Sequence, residues 1–111
     1  MRLCQKSQYG NEKNLSDFKI SLSTKKEFIW AYNKDITLHW NNIKNDNRFR
    51  LKHYVQNSKP DNVSNAGLRE TFAFCFAGMY NKFEDNNILK SYFSNAQETA
   101  EDIIDDFLKA N

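Results

Sequence analysis

The chain has 111 residues, 40% of them hydrophobic and 27% charged, which suits one domain whose core needs no disulfides or metal and is too short for two. Sixteen Lys and Arg against 14 Asp and Glu leave a net charge of +2, excluding a histone-like or polyacidic protein. The longest apolar run, Phe72 to Tyr80, is nine residues, about half of a membrane span.

Residues 1–16 carry few apolar anchors and are expected to form a loosely ordered arm ahead of a single helical domain over 17–111. Phe18, Ile20 and Leu22 alternate with Lys19 and Ser21, the pattern of one short strand. Thr24 and Glu27 stand at capping-box spacing, and Phe28, Ile29, Tyr32, Ile36, Trp40 and Ile43 recur at three and four, predicting a long helix. A competing reading ends that helix near Asn33 and makes Ile36, Leu38 and Trp40 a strand. Asn45 to Asn47 form a joint. Arg48 to Val55 reads either as a strand or as a helix capped by Asn47, the helix packing Leu51, Tyr54 and Val55 and leaving Phe49 off the face.

Lys59-Pro60-Asp61 ends that stretch, and Ser64 or Asn65 caps a helix to about Phe83 with the stripe Leu68, Phe72, Cys75, Phe76, Met79 and Phe83. Its back also carries Phe74, Ala77 and Gly78, so it is expected at the centre of the fold, with Cys75 as a small buried hydrophobe. Asp85 to Asn87 make the next joint, Ile88 to Phe93 a short helix, and Asn95 with Glu98 a capping box opening the last helix, which ends near Lys109. With two Val and four Thr against nine Phe and fifteen Asn, the composition favours helices over sheet.

The last helix sorts its residues most cleanly. Ala96, Ala100, Ile103, Ile104, Phe107 and Leu108 fill one arc, while Glu98, Glu101, Asp102, Asp105 and Asp106 fill the other. Each like-charge pair four residues apart costs roughly 0.2–0.5 kcal/mol, and Asp105 and Asp106 oppose the helix dipole as well. A face kept acidic against that penalty points to a cationic partner. The rest of the charge map agrees. Residues 1–60 hold 12 cations against 5 anions, a net of +7, and residues 61–111 hold 4 against 9, a net of −5.

Within the basic half, Arg48, Arg50, Lys52 and Lys59 lie among Trp40, Phe49 and Tyr54, a mixture used to grip single-stranded nucleic acid. Arg48-Phe49-Arg50-Leu51-Lys52-His53 also resembles the Arg, four residues, His motif of HEPN ribonucleases, helical domains in which His and Arg work on the scissile phosphate. The resemblance covers six residues, and Phe49 stands where that family usually has a polar residue. It implies catalytic roles for Arg48 and His53. Elsewhere the chain has no GxSxG, P-loop, HExxH, CxxC or EF-hand spacing.

The sequence therefore predicts an all-α, compact single-domain bundle of four to five helices, with a small α+β fold carrying a hairpin in 36–55 as the alternative. The expected function is a non-catalytic protein-binding module of inhibitor or immunity type, without cofactor or metal, in a reducing cytoplasm. It would mask a basic partner, such as a nuclease toxin, with Glu98, Glu101, Asp102, Asp105 and Asp106. The alternative is a nucleic-acid-binding protein or HEPN-like ribonuclease using Arg48, Arg50, Lys52 and Tyr54.

Overall fold

The three-and-four spacing after Thr24 does produce helix. In the computed structural model, which describes residues 22–80 and 86–110, α1 spans Lys26–Leu38, α2 Trp40–Ile43, α3 Phe49–Val55, α4 Asn65–Tyr80, α5 Asn86–Tyr92 and α6 Ser94–Ala110. The fold is all-α, and no strand occurs among the described residues. The arm over 1–16 and the strand expected over 17–22 lie outside the described residues, save for Leu22, which is helical and buried.

The hairpin alternative for 36–55 is overturned, since α1, α2 and α3 cover it. The long helix predicted to Ile43 is instead broken at His39, whose φ of −110° and ψ of 16° leave the helical region. Its start also differs: Lys25, not Thr24, is the N-cap, without a side-chain cap, and the Lys25 carbonyl accepts the Phe28 and Ile29 amides. At α3 the N-cap is Arg48 and not the expected Asn47, and it has no side-chain cap; Asp46 Oδ1 accepts the Arg48 amide just ahead of the helix at 2.9 Å. This helix packs Leu51, Tyr54 and Val55 and leaves Phe49 82% exposed, as its helical reading requires.

Large rings fill the core. Phe28 meets Phe72 edge-on at 5.0 Å, and Tyr32 stacks on Phe93 at 5.6 Å, each of these rings fully buried. Burial of such a side chain stabilises by about 1.5–3 kcal/mol. The centre of the bundle is not α4 alone. α6 packs against α1, α4 and α5, its small Ala96 and Ala100 fully buried, and small side chains are what let helix axes approach closely. Phe74 on the back of α4 covers Tyr54, the two rings stacked at 4.5 Å and 10°.

A buried polar knot joins α1, α3 and α4. The Tyr32 hydroxyl donates to the Tyr54 carbonyl at 2.6 Å, and Thr71 Oγ1 donates to the same carbonyl at 3.0 Å. These bonds satisfy the end of α3, which Gln56 and Asn57 terminate in the left-handed conformation. The Ser64 hydroxyl accepts the Gly67 amide at 2.9 Å, the geometry of a side-chain cap on α4. Gly67 is required by proximity: a Cβ there would meet the Tyr32 hydroxyl and come within 2.7 Å of the Val55 carbonyl and 2.9 Å of Ser58 Oγ.

Candidate functional site

The acidic residues depend on how α6 is anchored. Its first amides are met from another helix: Asp35 on α1, fully buried, accepts the Ala96 amide at 2.7 Å, the Asn95 amide at 3.3 Å and Asn95 Nδ2 at 2.7 Å. The predicted Asn95–Glu98 capping box is thereby corrected. Asn95 lies inside α6 as a donor, and Asp35 takes the acceptor role of an N-cap. Burial raises the Asp35 carboxyl above its ordinary range, and the three hydrogen bonds, although they favour the anion, do not offset it.

With its buried face held by α1 and α4, α6 turns the carboxylates outward. Glu98, Asp102, Asp105 and Asp106 are exposed. Among the described residues, no cation lies within ion-pair distance of these four. Glu101 differs in being half-buried, its Oε2 accepting from Gln97 Nε2 at 2.6 Å. Phe107 and Leu108, at the same end of α6, are 40% and 54% exposed.

The basic segment is divided among several partners. Arg48 forms a 2.8 Å ion pair with Asp46, and its guanidinium lies 5.7 Å from the centroid of the Tyr92 ring. Hydrogen bonds from the Arg48 side chain and amide, joined by one from the Tyr92 hydroxyl, hold the Asp46 carboxyl down at about 2. Arg50 and Lys52 are exposed. Tyr54 is buried, 6% exposed, with its ring on Phe74. His53 Nε2 lies 2.9 Å from Glu70 Oε1 on α4, so the two ends of the Arg48–His53 segment engage different elements, Arg48 toward α5 and His53 toward α4.

Lys52 belongs to a different grouping. With Trp40, Ile43, Lys44, Val55 and Lys59 it lines a groove of about 410 Å³ between α2 and the end of α3. Lys44 is absent from the sequence reading of this region, although it follows the apolar Ile43 directly; Asp35 is absent too, although it is a carboxylate inside an apolar stripe. Among the described residues no group of three His, Cys, Asp or Glu could hold a metal ion, and no helix is long and apolar enough to cross a membrane. Comparison of the chain with protein-family models, with curated proteins and with solved structures returned no match.

Proposed function

We propose that the protein is a non-catalytic binding module of the inhibitor or immunity type, which covers a basic protein partner, such as a nuclease toxin, with the outer face of α6. The observation that carries this reading is the row of exposed carboxylates at Glu98, Asp102, Asp105 and Asp106 on a helix pinned along its buried side. Charge of one sign on a rigid face steers a cationic partner and rejects wrong ones. Glu101, tied to Gln97, takes a secondary part. The buried free thiol of Cys75 suits a reducing cytoplasm.

Affinity purification from the protein's own cells, wild type beside the double charge reversal Asp102→Lys and Asp105→Lys, tests it. A stoichiometric basic protein should accompany the wild type, be absent from the variant and be released by about 1 M salt, where screening shrinks to roughly 3 Å. A partner indifferent to the reversal, or no basic protein at all, overturns the reading.

A further inference from the structure

We propose that the groove between α2 and the end of α3 binds a nucleotide, an aromatic base carrying a phosphate, whether free or at the end of a single strand. Its volume of about 410 Å³ falls within the roughly 300–1,000 Å³ of small-molecule sites. One side is apolar, with Trp40, Ile43 and Val55, and the half-buried indole of Trp40 offers a flat surface to a base. Around it stand Lys44, Lys52 and Lys59, all exposed. No carboxylate among the described residues lies within ion-pair distance of their ammonium groups.

Two features that would repel a phosphate are neutralised within the fold. Asp46, the one carboxylate among the groove's described lining, is engaged by Arg48 and by the Tyr92 hydroxyl. At the end of α3, where the helix dipole is negative, the Tyr54 carbonyl accepts from Tyr32 and Thr71 and the Val55 carbonyl from the Ser58 amide. Among the described residues the groove thus combines an apolar wall with three cations and one carboxylate that is already engaged. No α6 residue lines it, so occupancy here and loss of a protein partner from α6 are read separately.

Tryptophan fluorescence of the Trp30→Phe protein, in which Trp40 is the remaining indole, measures the binding. The probes are adenosine monophosphate, a 5′-phosphorylated oligonucleotide, adenosine and inorganic phosphate, at about 50 mM salt. Saturable quenching by the monophosphate assigns the groove to free nucleotides, and quenching by the oligonucleotide alone assigns it to strand ends. In either case adenosine should bind at least about tenfold more weakly, as should the phosphorylated probe to Lys52→Glu and to Lys59→Glu, each having lost a charge-assisted contact. Inorganic phosphate should not quench. Absence of quenching by both phosphorylated probes overturns the proposal, as does quenching unchanged in the two lysine variants, whose folding is checked by circular dichroism.

Discussion

Asp35 Oδ2 accepts the Ala96 amide at 2.7 Å across 61 residues of chain, so the helix that presents the acidic face begins on a carboxylate supplied by α1. Removing that carboxylate with Asp35→Ala should destabilise the protein by about 2–3 kcal/mol, the loss of a cap plus unpaired buried donors. Asp35→Asn, which keeps one acceptor and removes a buried charge, should cost less. Urea denaturation followed by circular dichroism ranks the two, and an Asp35→Ala protein as stable as the wild type would mean that the carboxylate does not cap α6.

Acid stability should divide between Asp46 and Asp35. The Asp46 carboxyl is held near 2, below its usual 3.8, so its ion pair stabilises the fold above that usual value and ceases to do so as pH falls toward about 2. Asp35 is raised by burial; its contribution is therefore largest in acid and is lost as pH rises through its folded value. Melting temperatures between pH 2 and 6 should fall on acidification in the wild type and fall less in Asp46→Asn. In Asp35→Asn the acid loss should steepen, because the opposing group is gone.

Gly67→Ala should cost about 3 kcal/mol, since two of the three atoms a methyl group would meet belong to packed elements, the Tyr32 hydroxyl and the Val55 carbonyl. Tyr32→Phe leaves Thr71 on the Tyr54 carbonyl and should cost only about 1–2 kcal/mol. Thermal melts of both, and of the double variant, measure this. In Tyr32→Phe the hydroxyl that meets the methyl is absent, so Gly67→Ala should cost less there than in the wild type.

Charge reversal at Asp102 or Asp105 should leave the isolated protein as stable as the wild type, or more stable by up to about 1 kcal/mol, because like-charge pairs and an unfavourable dipole interaction are relieved. A loss of stability in urea would show that these carboxylates hold the fold together.

His53→Ala separates the ribonuclease reading from the rest. The His53–Glu70 pair is nearly half exposed on both sides, so its loss should shift stability by less than about 1 kcal/mol. RNA left intact by the wild type removes catalysis from consideration, whereas cleavage that His53→Ala abolishes at unchanged stability would establish it.

The legible parts of the fold were those with a local period. The stripe of α4 as far as Met79, its predicted end at Phe83 lying outside the described residues, and the two faces of α6 follow from 3.6 residues per turn, and so do the buried Leu51 and the outward Phe49 of α3. What escaped depends on distant partners. The break at His39 lies where its ring meets Tyr92, and the true cap of α6 is 60 residues from Asn95; neither leaves a mark in neighbouring residues. The basic segment illustrates the same limit. Arg48, Arg50, Lys52 and Tyr54 are neighbours in sequence, but a helix points them in different directions, so Tyr54 enters the core and Lys52 joins Lys44 and Lys59 instead.

Cys75 lies fully buried in the core, and burial pushes its thiol well above the usual range. Thiols react as thiolates, so in the folded protein this sulfur is shielded both sterically and chemically. With Cys4 replaced by serine, the rate at which an alkylating reagent reaches Cys75 becomes a clock for the opening of the bundle. The Cys4→Ser protein thus carries a native-state reporter of breathing motions, readable by mass spectrometry as the mass of one alkyl group.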